Sequence, residues 1–139
     1  MLFTAAVRVE TTHIVGNEKI QILGIAHGII SWVSVLHQEG SNCMVHCIIL
    51  HHEHQIFPST AGMSIVGDGI PVEWTEYYES YQPPHELKIR AWGVDCLQDH
   101  TIFVRVAVLP RKAILSLAIV DAIKGVFGLL SPKRLFTGT

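Results

Sequence analysis

Thr101-Ile102-Phe103-Val104-Arg105-Val106-Ala107-Val108-Leu109 alternates along its whole length. Ile102, Val104, Val106 and Val108 fall on one side, with Phe103, Arg105 and Ala107 between them. A period of two marks a strand with one face buried. Pro110 ends the run, because proline has no N–H to give to a ladder. The same rhythm recurs nearer the N-terminus. In residues 3–10, Phe3, Ala5, Val7 and Val9 alternate with Thr4, Ala6, Arg8 and Glu10. In residues 85–93, Leu87, Ile89 and Ala91 alternate with Lys88, Arg90 and Trp92. No βαβ rhythm is present, so the strands are expected to pair antiparallel.

The remaining segments fill in around these three. Gly16-Asn17-Glu18 reads as a turn. A long β-branched stretch from Ile20 to Leu36 follows, and Gly24 and Gly28 interrupt it with a bulge or bend. The first two segments thus predict a hairpin with a long, curved second arm. Gly40-Ser41-Asn42 is the next turn, and residues 43–50 form a strongly apolar strand that stops by Pro58. Residues 59–69 are a glycine-rich connection, and residues 94–100 read as a hairpin loop. Residues 72–81 change period: Trp74, Tyr77, Tyr78 and Tyr81 sit at i, i+3, i+4 and i+7, with Glu73, Glu76 and Glu79 mostly opposite. That spacing predicts a short amphipathic helix closed by Pro83-Pro84. The apolar stretch at 111–131 predicts a second helix, flanked by Arg111-Lys112 and Lys133-Arg134. The expected class is β-rich α+β: an antiparallel sandwich or open barrel, one short aromatic helix and a C-terminal apolar helix. The chain reads as one domain over 1–139, a β-rich body at 1–110 and the helix at 111–131.

Charge narrows the function classes. Charged residues make up 16% of the chain, against about 25% in ordinary globular domains. A surface so poor in charge points to an apolar patch covered by a partner, most simply another copy. The net charge of −2 and the scattered basic residues argue against nucleic acid. Asp121 and Lys124 near the middle of the last apolar stretch would each cost about 2.5–3.5 kcal/mol in a bilayer, so a spanning helix is not expected; the basic pairs at both ends leave a helix on the membrane surface as the lesser alternative to a core helix or a subunit contact. Met1-Leu2-Phe3-Thr4 does not open a signal peptide. Cys43, Cys47 and Cys96 read as reduced thiols of a cytoplasmic protein.

The densest chemistry is His51-His52-Glu53-His54, with His46 upstream. If the strand from Cys43 runs on to His54, then His46, His52 and His54 share a face. A His-x-His pair then places two imidazoles about 6.6 Å apart, workable for two ligands of one divalent transition metal such as zinc. His85 is the candidate for a further ligand. The His52-x-His54 pair with His85 on a later strand resembles the cupin family, and the resemblance implies a metal site on a β-fold. It departs from the cupin pattern after His54, where Gln55, Ile56, Phe57 and Pro58 stand in place of the expected glutamate. The glycines expected ahead of the pair are also missing.

Trp74, Tyr77, Tyr78 and Tyr81 form the other candidate, a ligand or partner surface of rigid aromatic side chains. No phosphate-cradling glycine loop and no Gly-x-Ser-x-Gly elbow is present, so a complete catalytic set is not expected. The first functional expectation is a non-enzymatic binding or assembly module acting as a homo-oligomer. The second is a small metal-binding protein or enzyme using the histidines. The third is a small-ligand binder with a pocket inside the curved sheet, lined by Trp32, Trp74 or Trp92.

Overall fold

A computed structural model describes residues 1–110. The helix expected over 111–131 lies outside the described residues. Within them the fold is all strand: β1 (Leu2–Val9), β2 (Lys19–Gly24), β3 (Gly28–His37), β4 (Val45–His51), β5 (His54–Phe57), β6 (Val72–Ser80), β7 (Glu86–Gly93) and β8 (His100–Leu109). They build two four-stranded sheets, ordered β1-β8-β3-β6 and β2-β7-β4-β5. Every pairing is antiparallel. The inner faces of both sheets supply one core, as in a sandwich.

The alternation of β1, β7 and β8 is what buries them. Val7, Val9, Leu87, Ile89, Ala91, Ile102, Val104, Val106 and Val108 lie in the core, and their neighbours point outward. In β3 the register shifts between Ile30 and Trp32 against both β6 and β8. That bulge lets Ile30 and Val33, an odd number of positions apart, both enter the core. Strand β3 opens at Gly28, where a Cβ would collide with the carbonyl oxygen of Leu109. Only glycine permits so close a backbone approach.

Three expectations are corrected. The stretch from Ile20 to Leu36 is not one curved arm. It breaks between Gly24 and Gly28 and crosses from one sheet to the other, so β1 pairs with β8 rather than with β2. The segment expected as a hairpin loop over 94–100 is likewise a crossover between sheets, with His100 already in β8. The aromatic segment is β6 rather than a helix. Its inward positions are Trp74, Glu76, Tyr78 and Ser80, which is period two. Among the described residues no helix is long and apolar enough to cross a membrane.

The two flanks of the sandwich differ. On one, β1 leans on β2 and β7, and Arg8 pairs with Asp99 at 2.9 Å across the end. On the other, β5 and β6 are the last strands of their sheets and face each other.

Candidate recognition flank

The β5–β6 flank begins with a tight turn. His52 and Glu53 both have positive φ, 52° and 64°, between the paired ends His51 and His54. Two such central residues make a two-residue hairpin of type I′. Strand β5 then runs back beside β4 and places Phe57, 3% exposed, at the lip of the core. The ring of Phe57 meets Trp74 edge-on at 5.5 Å and Tyr78 at 6.1 Å. The return loop is pinned by one amide: Gln55 Nε2 donates to the carbonyls of Pro58, Thr60 and Met63 at 2.9–3.2 Å. Farther along, Ile65 bridges to Cys47 and extends the sheet edge.

Two clefts open on this flank. One, of about 340 Å³, is lined by Phe57, Pro58, Ile65, Val72, Trp74 and Glu76. The other, of about 270 Å³, is lined by His51, His52, Tyr78, Glu79, Tyr81 and Gln82. Strand β6 borders both. Its inward Glu76 is tolerated because the carboxylate accepts from Trp74 Nε1 at 3.0 Å and from the Tyr77 N–H at 3.2 Å. Tyr77 itself points outward, 62% exposed. Tyr81, just past the strand, stacks on His27 at 5.1 Å.

The sign of charge here is uniform. Between Lys19 and Lys88 the chain carries Glu39, Glu53, Asp68, Glu73, Glu76, Glu79 and Glu86 and no Lys or Arg. Two ion pairs occur among the described residues, Arg8–Asp99 and Lys88–Glu53. Glu73, Glu76 and Glu79 take part in neither.

Buried imidazoles lie on the same side. His51 Nδ1 and the Tyr78 hydroxyl are 2.8 Å apart, while His51 Nε2 is buried without a hydrogen-bond partner. Burial, then the nearby His52, pushes the His51 pKa down. Burial raises that of Tyr78. His37 is fully buried under the β5–β6 connection, with Gly67 against its Nδ1. Its ring nitrogens lie near the Ile65 and Val45 backbone without a well-formed hydrogen bond. Its pKa is lowered by burial first and by His46 second.

The four candidate metal ligands do not converge. His46 stands opposite Trp92 in the β4–β7 ladder, stacks on it at 5.5 Å and meets Ser64 Oγ at 2.7 Å. His52 lies six residues on, about 20 Å along the chain, and its ring meets that of His51 at 3.9 Å, tilted by 47°. The chain turns at His52-Glu53, so the face expected to carry both His52 and His54 does not form; His54 is exposed on β5. His85 meets His27 edge-on at 5.5 Å. Among the described residues no group of three His, Cys, Asp or Glu side chains is placed to hold a metal ion. Nor do the tryptophans share a pocket, since Trp32 and Trp92 belong to different sheets and neither lines the Trp74 cleft.

The thiols are dispersed as well. Cys47 is in the core, and burial pushes its pKa up to about 12. Cys43 is exposed outside β4, and Cys96 Sγ donates to the Met44 carbonyl. Sequence reasoning missed Phe57, Gln55 and Ile65. The available signal was Ile56-Phe57-Pro58 directly after a polar turn, the pattern of a short edge strand that a proline ends. Comparison with protein-family models, with curated proteins and with solved structures finds no match.

Proposed function

We propose that this chain is a non-enzymatic binding module that engages its partner through the β5–β6 flank. The observation that carries the reading is the pair of clefts bordered by one strand whose outer edge is unpaired among the described residues, with Trp74 and Tyr78 braced from behind by Phe57. Rigid aromatics beside unpaired backbone groups are the elements of strand-addition recognition. The test is a ¹⁵N-labelled full chain titrated with a panel of short extended peptides and aromatic fragments. Shifts clustering on residues 54–58 and 72–81 support the reading. Shifts confined to β1 and β2, or none with any probe, contradict it.

Self-association is a second reading, favoured by a separate patch. On the outer face of the β1-β8-β3-β6 sheet, Ala6, Phe103 and Leu36 are cross-strand neighbours, and so are Leu2, Ala107 and Trp32. Leu2 and Phe103 are exposed. Two such apolar rows, with Arg105 between them, suit an isologous dimer. Light scattering on the full chain at micromolar concentration decides it: a dimer that Phe103→Lys dissociates supports the reading, and a monomer ends it.

A further inference from the structure

We infer that the partner strand is basic: the free edge of β6 accepts an extended, lysine- or arginine-bearing segment of another protein as an added antiparallel strand. This rests on the recognition reading above and narrows it to one partner chemistry. Strand β6 is nine residues long and, among the described residues, is terminal in its sheet and paired on one side, with β3. Away from β3 its backbone N–H and C=O groups are paired with no other strand among the described residues, although the Tyr77 N–H is already taken by the Glu76 carboxylate. An added strand would send alternate side chains to the two faces of the sheet. On the inner side they meet the two clefts, one apolar around Trp74 and Val72 and one polar around His51 and Tyr78.

Charge selects the occupant. Glu73 and Glu79 point outward from β6, six residues apart on one face, and Glu76 points inward. Strand β3 beside them has no Lys or Arg, and neither do β5 and the connection that leads to β6. Opposite charges directly across a strand pair are favourable, and like charges are not. A second β6 therefore fits badly. Two copies paired about Glu76 would set Glu76 against Glu76 and Glu73 against Glu79, and other registers still crowd both sets of carboxylates on one ribbon. A strand with cationic side chains on its outer face meets Glu73 and Glu79 instead.

The test uses the full chain and three capped eight-residue peptides, alternating valine with lysine, serine or glutamate. Binding is read from amide shifts of β6 and from Trp74 fluorescence at low salt. The expected order is lysine over serine by about tenfold or more, with glutamate weakest. Added salt narrows the gap. A Glu73→Lys/Glu79→Lys variant, whose sites are exposed and whose fold is checked by circular dichroism, reverses the order. If the serine and lysine peptides bind equally at β6, the charge inference falls while the flank remains a recognition site. If no peptide perturbs β6, both fall. A β6-mediated dimer of the chain with itself would also overturn the proposal.

Discussion

The two flanks of the sandwich are built from similar strands and end differently. At the β1/β2 flank, the outer strands lean together, and the adjoining loop is held by Asp99, which accepts from Arg8 and from the Thr11 N–H. At the β5/β6 flank, Phe57 packs against Trp74 and Tyr78 between the two edge strands, β5 is four residues long, and among the described residues the carboxylates of β6 enter no ion pair. Both flanks use the same pleat. The side chains differ: on one side β1 contacts β2 and β7 directly, and on the other Phe57, Trp74 and Tyr78 meet ring to ring between β5 and β6. A closed flank contributes stability. An open one contributes surface.

Substitutions should separate these roles. Leu23→Ala on the closed side empties a buried site and should cost about 2–5 kcal/mol, read as a lower urea midpoint with unchanged slope. Trp74→Ala on the open side removes a half-buried ring and should cost about 1–2 kcal/mol, while abolishing peptide-induced shifts at β6. Equal losses at both sites would erase the distinction between the flanks.

Acid should act on the open side next. His37 and His51 are held neutral in the fold with pKa values below their unfolded value. The unfolded chain therefore binds more protons as pH falls below about 6.5, and stability drops from there down to the folded-state pKa values. The slope approaches about 1.4 kcal/mol per pH unit for each imidazole. Above that window the contribution is fully present. Replacing His37 with leucine should flatten the acid limb in urea titrations at stepped pH, and an unchanged limb would remove His37 from the account.

Smaller effects follow. Gln55→Ala frees three carbonyls of the return loop and should cost about 1 kcal/mol, with faster amide exchange across 58–63. Arg8→Ala breaks an exposed pair on the closed flank and should leave the unfolding midpoint almost unchanged. A large effect there would mean that the closed flank depends on its ion pair rather than on burial.

The sequence disclosed the elements whose inner face is uniformly apolar. Strands β1, β7 and β8 alternate cleanly because each faces the core on one side and solvent on the other. Strand β6 misled because Glu76 and Ser80 occupy inward positions, which broke the period of two. Meanwhile Trp74, Tyr77, Tyr78 and Tyr81 happened to satisfy helical spacing. The carboxylate that spoiled the pattern is stabilised by the indole beside it, a contact that exists only once the strand has formed. Pairing order was hidden for another reason: β1 meets β8 across nearly the whole described chain, and local pattern carries no information about such distant partners. Trp74 and Tyr78 were legible as candidate surface, while their backing by Phe57 was not. The turn at His52-Glu53 lacks the Asn-Gly that would announce it, so the histidines read as one continuous strand face.

The claim on which the rest depends is that β6 is a strand with one free edge. Native-state amide exchange over Val72–Ser80 tests it directly. The account predicts slow exchange for the amides bonded to β3 and fast exchange for the intervening ones, with the alternation broken at Glu76-Tyr77, where the register shifts and the Tyr77 N–H is held by the Glu76 carboxylate, and slowing of the fast set when the lysine–valine peptide binds. Uniform protection along β6 in the free protein would contradict it, because every N–H would then already have a partner.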